Sequence, residues 1–206
     1  MIGYYNYTVI LTYLGTLSGF MGITYIWSGH LKAALICLMI SGFCDMFDGK
    51  IASTMERTKQ QKRFGIQIDS LSDLICFGVL PALIVFHCSG GKLLHTLISA
   101  SYVLCALIRL AWFNVEEEER QEKEAGNRKT YLGLPVTTSA LLLPLFMGSA
   151  NLLALPVNHS APWLLLAIAA AFVTPFHLKK PGTLGKIIML LCGVATIVVV
   201  MIGVKV

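Results

Sequence analysis

Four aspartates stand out for where they lie: Asp45, Asp48, Asp69 and Asp73 all sit at the ends of two consecutive apolar stretches. A carboxylate at the centre of a bilayer costs at least about 2.5–3.5 kcal/mol, so acids this close to apolar runs need partners or a task. At about 100° per residue, Asp45, Asp48, Gly49 and Ala52 share one arc of a helix. Asp69 and Asp73 form an i,i+4 pair on the next helix, with Ser72 and Cys76 on the same arc. A short connection makes two such helices antiparallel neighbours, so the acidic arcs can face each other. Facing carboxylates repel unless a cation joins them, and an all-oxygen donor set suits a hard divalent ion such as Mg²⁺, Mn²⁺ or Ca²⁺. Gly49 and Ala52 keep the face beside the acids low, which lets a bulky phosphate approach the backbone. Two other readings compete. The acids can pair with Arg57, Lys59, Lys62 and Arg63 of the connection, but such cations can meet water and do not require acids on one helical face. A proton- or cation-conducting protein would need polar residues continuing through the helices, which are otherwise apolar.

The elements that position these acids follow from composition. The chain has 206 residues, 56% of them hydrophobic and 13% charged, with a mean hydropathy of +0.73. Ordinary soluble domains carry about 25% charged residues, so a disordered chain is excluded and a soluble enzyme disfavoured. A spanning helix takes about 20 apolar residues. The expected fold is an all-α, polytopic membrane bundle of about six to eight transmembrane helices, forming one integral membrane domain over 1–206. Seven apolar stretches are visible, at about 8–28, 31–53, 65–88, 92–113, 136–155, 161–177 and 184–204. A turn around Pro156 and Pro162 separates the fifth from the sixth, and Leu178–Gly182 breaks the last two apart.

Placing the 54–64 connection in the cytoplasm puts 114–135 and 178–183 on the same side. These regions and the flanking helix ends hold 13 of the 16 Lys and Arg residues. That asymmetry predicts a cytoplasmic acid cluster, the N-terminus inside and, with seven spans, the C-terminus outside. The net charge of +5 then reads as a basic surface facing anionic lipid, with no nucleic-acid partner. The six cysteines are scattered through apolar runs and form neither a disulfide framework nor a zinc site. No basic region precedes the first apolar run, so a cleaved signal peptide is not expected. Glu116–Glu119 reads as a solvated helical extension.

The stretch Asp45-Met-Phe-Asp48-Gly49-Lys-Ile-Ala52, followed by Gly65-Ile-Gln-Ile-Asp69-Ser-Leu-Ser-Asp73, resembles the signature of the CDP-alcohol phosphotransferase family. That signature reads D-x-x-D-G-x-x-A-R, a spacer, then G-x-x-x-D-x-x-x-D. There are two departures. Ser53 stands in place of the Arg, and eleven residues separate it from Gly65. An insertion of about three residues near 54–57 accounts for both and leaves Arg57 as the substitute cation. Asp69–Ala82, Arg109–Asn114 and Tyr131–Pro135 are similar to segments of the phosphatidylserine synthase branch, with Trp112 replacing an Arg.

The resemblance implies transfer of a phosphatidyl group from CDP-diacylglycerol to the hydroxyl of L-serine, with release of CMP. It implies that Asp45, Asp48, Asp69 and Asp73 hold metal, with Asp73 as general base, and that Gly49, Ala52, Arg57 and Gly65 bind CDP-diacylglycerol. It also implies a homodimer in the lipid bilayer. Arg109 lies in an apolar run near the cytoplasmic end. It either snorkels to headgroups or binds the serine carboxylate or a lipid phosphate, with Asn114 and Arg128 or Lys129 completing that pocket. A sister enzyme using glycerol 3-phosphate or an inositol phosphate is the nearest alternative, and its acceptor would call for more cations around the pocket.

Overall fold

A computed structural model describes residues 3–123, 130–179 and 182–204. Seven helices fall on the seven apolar stretches: α1 (Ile10–Trp27), α2 (Leu31–Ala52), α3 (Lys59–Cys88), α4 (Leu93–Lys123), α5 (Ser139–Leu152), α6 (Val157–Val173) and α7 (Thr183–Gly203). Two of them overrun their apolar stretches. The start of α3 is polar and is fixed by a capping box, in which Thr58 Oγ1 accepts from the Gln61 N–H and Gln61 Oε1 accepts from the Thr58 N–H. The end of α4 carries Glu116–Glu119 beyond the apolar run, as a helical extension.

The turn expected to run from Pro156 to Pro162 is shorter. Pro156 precedes the helix, but Pro162 is buried inside α6. So near the helix start, its missing N–H leaves a single carbonyl without its usual partner, which a helix tolerates better than a mid-helix proline. The connections after α4 and α6 pair with each other. Strands β1 (Thr130–Leu132) and β2 (His177–Lys179) form a two-stranded antiparallel ribbon in which Tyr131 faces Leu178.

Four helical segments are long and apolar enough to cross a membrane, namely Tyr7–Trp27, Lys59–Cys88, Leu93–Glu119 and Leu184–Gly203. Two shorter apolar helices, Val136–Leu152 and Val157–Val173, pack with them. The chain is a polytopic helical membrane protein. Its outer faces are apolar, with Leu17, Phe20, Leu104 and Ile202 exposed, as contact with lipid tails requires.

Helix α3 runs through the middle, with α1, α2, α4 and α6 around it, while α5 packs on α7. The core centres on the fully buried Phe77, Leu80, Tyr102, Leu143, Leu165 and Phe172. The N-terminal segment lies beside the α2–α3 connection: the Tyr7 hydroxyl is 3.0 Å from Thr54 Oγ1, and the Tyr4 hydroxyl donates to Gln60 Oε1 at 3.0 Å. At the opposite end of α2, Lys32 Nζ donates to the Met201 carbonyl near the end of α7. The N-terminal segment and the end of α7 thus lie at opposite ends of α2.

Candidate active site

Small residues on α1 let it sit against both acid-bearing helices. A Cβ on Gly15 would lie 3.4 Å from Cys44 Cβ, and one on Gly19 would lie 2.6 Å from Cys76 Sγ. Close backbone approach of this kind is how membrane helices gain packing energy without a hydrophobic drive. Polar bonds fix the contact. Thr16 Oγ1 and Ser72 Oγ are 2.6 Å apart, and the Ser41 hydroxyl and Cys76 thiol both donate to the Gly15 carbonyl. These bonds tie α1 to α2 and α3 without engaging a carboxylate.

The aspartates of the two helices converge as the helical arcs require. One carboxylate oxygen from each of Asp45, Asp48 and Asp69 lies within 4.8 Å of the others. Asp73, one turn further along α3, lines the same cleft, as do Ser72 and Cys76 from its arc. Three hard oxygen donors at this separation fit a divalent cation, and no His or Cys belongs to the group. Of the cations set against the acids in the sequence, Arg63 lies in α3 with its Nε 3.8 Å from a Glu118 carboxylate oxygen of α4.

The remaining sequence-expected residues divide into three sets. Gly49 and Ala52 extend the acid-bearing end of α2, and a Cβ on Gly49 would meet nothing within 4 Å. Arg57 reaches Gly65, its Nη1 only 3.1 Å from where a Gly65 Cβ would stand. Its Nε is buried with no hydrogen-bond partner among the described residues. Gly65, Asp69 and Asp73 follow one another at four-residue steps along α3, so Arg57 stands at the outer end of the acidic face.

Arg109 and Asn114 form a second set on α4. Arg109 is buried, with its Nε donating to the Leu134 carbonyl at 3.3 Å and its guanidinium over the rings of Trp112 and Phe113. It does not line the acid cleft. It ties α4 to the Tyr131–Pro135 segment, and a buried guanidinium bound to protein is not a headgroup snorkel. Asn114 Oδ1 accepts from the hydroxyl of Ser70, the residue after Asp69, at 2.7 Å. Arg128 and Lys129 lie outside the described residues.

Sequence reasoning missed the contribution of α1, whose Leu11, Thr12 and Gly15 line the cleft. The signal was there in the run of small and hydroxyl residues Thr8, Thr12, Gly15, Thr16 and Gly19, spaced at helical intervals. It also missed the ribbon that brings the connection after α6 against the segment containing Gly133.

The model of the CDP-alcohol phosphatidyltransferase family matches residues 5–204. The chain belongs to that family. Among curated relatives, it is 28% identical over 177 residues to archaetidylserine synthase of Methanothermobacter thermautotrophicus, covering 85% of this chain and 70% of that protein. It is 34% identical over 142 residues to the CDP-diacylglycerol–serine O-phosphatidyltransferase of Saccharomyces cerevisiae, covering 65% of this chain and 50% of that one. The Bacillus subtilis protein of the same description is 23% identical over 156 residues, covering 74% and 82%. The chain thus spans only about half the length of the yeast relative, and most of the bacillary one.

Proposed function

We propose that this membrane protein transfers a phosphatidyl group from CDP-diacylglycerol to the hydroxyl of L-serine, at the cytoplasmic face of its membrane. The observation that carries the reading is the convergence of Asp45, Asp48 and Asp69, with Asp73 in the same cleft, on two neighbouring helices of a family member. Serine as acceptor is supported by the names of the relatives, which are serine-using synthases and transferases, and by the Asp69–Ala82, Arg109–Asn114 and Tyr131–Pro135 resemblance. The cytoplasmic face rests on the distribution of Lys and Arg. A homodimer accompanies the family resemblance.

Asp45, Asp48 and Asp69 would hold a divalent ion, Mg²⁺ or Mn²⁺ being the hard cations such a set favours. When bound, the ion supplies positive charge to the diphosphate of the nucleotide-activated lipid. Arg57, beside Gly65, offers a buried donor to the same diphosphate, and Gly49 leaves room for it above α2. Asp73 takes the proton from the serine hydroxyl as that oxygen attacks the lipid-side phosphorus. A new P–O bond forms to serine, and the bond from that phosphorus to the bridging oxygen breaks. CMP departs with the electron pair. Asn114, held beside Asp69 by Ser70, borders the acceptor side, and Arg109 orders the Tyr131–Pro135 wall behind it.

Purified protein given CDP-diacylglycerol, Mg²⁺ or Mn²⁺ and a panel of alcohols tests this directly. CMP release with L-serine, lost on exhaustive EDTA treatment and restored by either ion, is the expected result. Release with glycerol 3-phosphate or an inositol phosphate but not with serine would refute the acceptor, and full activity under EDTA would refute the metal.

A further inference from the structure

Helix α3 is not a uniform α-helix. Directly after Asp73, residues Leu74–Val79 form a π-segment, closed by the Leu80 N–H bonding to the Ile75 carbonyl. A π-turn puts one extra residue into the helix, which rotates its two halves relative to each other by about 100°. The half carrying Gly65, Asp69 and Asp73 is therefore aimed independently of the half carrying Leu80, Ile84 and Val85 in the core.

Two features hold the segment open. Pro81 has no N–H, so the Phe77 carbonyl lacks the donor that an α-helix would supply four residues on. A buried carbonyl in that state needs another partner. It receives two: the Tyr102 hydroxyl of α4 donates at 2.7 Å, and the Ser139 hydroxyl at the start of α5 donates at 3.3 Å. All three residues are fully buried, Tyr102 and Ser139 at 0% and Phe77 at 1% exposure. Ser139 also donates to the Val136 carbonyl, so it is the weaker of the two clamps.

We propose that Tyr102 and Ser139 are positioning residues that act through the Phe77 carbonyl, holding the π-turn that aims Asp69 and Asp73 at Asp45 and Asp48. The inference rests on the metal-site reading of those acids. Neither residue touches substrate. Their role is to supply hydrogen bonds that a proline in the acid-bearing helix has made necessary.

The test is Mn²⁺ binding by the full chain in detergent, read from the electron paramagnetic resonance of free Mn²⁺, alongside thermal unfolding without metal. Three variants are compared: Tyr102→Phe, Ser139→Ala and Pro81→Ala. Tyr102→Phe keeps the ring and removes one donor, and Mn²⁺ affinity should fall about ten-fold, with a smaller loss in Ser139→Ala. Pro81→Ala is the decisive variant because it removes the ring that crowds the Phe77 carbonyl and so favours closing the π-turn. A purely structural role predicts a protein at least as stable with normal Mn²⁺ binding. The positioning role predicts retained or raised stability with Mn²⁺ affinity reduced at least ten-fold. Wild-type affinity in both Pro81→Ala and Tyr102→Phe would overturn the inference while leaving the metal site intact. A wild-type protein that binds no Mn²⁺ would overturn the metal reading and this inference with it. Neither result depends on which alcohol is the acceptor.

Discussion

Gly49→Ala separates what the fold needs from what the substrate needs. Gly49 follows Asp48 on α2, is exposed, and a Cβ placed there meets no atom within 4 Å. Replacing a helical Gly with Ala gains up to about 1 kcal/mol, and somewhat less here because the helix ends at Ala52. The apo protein should melt at the same temperature or slightly higher. The substrate sees the position differently. A methyl stands about 1.5 Å out from Cα, so a phosphate resting against the bare backbone must retreat by a comparable distance. Metal–oxygen bonds of about 2.1 Å do not tolerate that displacement. Losing one charge-assisted contact is worth about 1.5–3 kcal/mol, or roughly ten- to a hundred-fold in rate. The expected result is kcat/KM for CDP-diacylglycerol at least ten-fold lower, the serine KM within about two-fold of wild type, and an undiminished melting temperature. A Gly49→Ala protein with wild-type kcat/KM for CDP-diacylglycerol would show that the open space above α2 is not where the diphosphate lies.

Asp48→Asn and Asp69→Asn should each cut CMP release below about a tenth of wild type, because each removes one of three converging ligands; retention above that level in both would defeat the metal site. Gly133→Ala should lower thermal stability by at least about 1–2 kcal/mol, since Gly133 has φ +76° and a Cβ would stand 3.1 and 3.2 Å from the Phe172 and Thr174 carbonyl oxygens. An unchanged melting curve in detergent would contradict it. Arg109→Lys keeps the charge but loses the guanidinium plane over Trp112 and Phe113 and the bond to Leu134. It should raise the KM for serine several-fold with a smaller change in that for CDP-diacylglycerol, and unchanged kinetics for both would confine Arg109 to a packing role.

The helices were legible because bilayer thickness imposes a length on apolar runs that composition shows directly. The acidic face was legible because four carboxylates near apolar runs are expensive, and helical spacing says which of them share a side. Other features were harder to see. Nothing in the order Leu74–Val79 marks a π-turn, whose partners Tyr102 and Ser139 lie 25 and 62 residues from Phe77. The ribbon of Thr130–Leu132 with His177–Lys179 joins segments nearly fifty residues apart, and strands of three residues leave no alternation to read. Arg109 showed the reverse problem. Its burial among apolar residues was readable, but its partner is a backbone carbonyl beyond the next connection, which side-chain chemistry does not announce.

The departure at Ser53 bears on the proposed role of Arg57 beside the diphosphate. A cation at position 53 would be carried by the end of α2, whereas Arg57 immediately precedes the capping box that starts α3. Its placement is therefore set by the helix start at Thr58 and counted from Gly65, whatever the length of chain before it. Inserting residues upstream costs little, because even doubling a loop adds only about 0.6 kcal/mol of closure entropy. The connection is not left loose either. Tyr7 meets Thr54 at its beginning, and Tyr4 meets Gln60 and the ring of Phe64 just past its end, so the N-terminal segment brackets it on both sides. With both ends of the connection pinned, the Arg57 guanidinium lies over Gly65. The proposed substitution of Arg57 for the family's Arg therefore rests on the start of α3 and not on the end of α2.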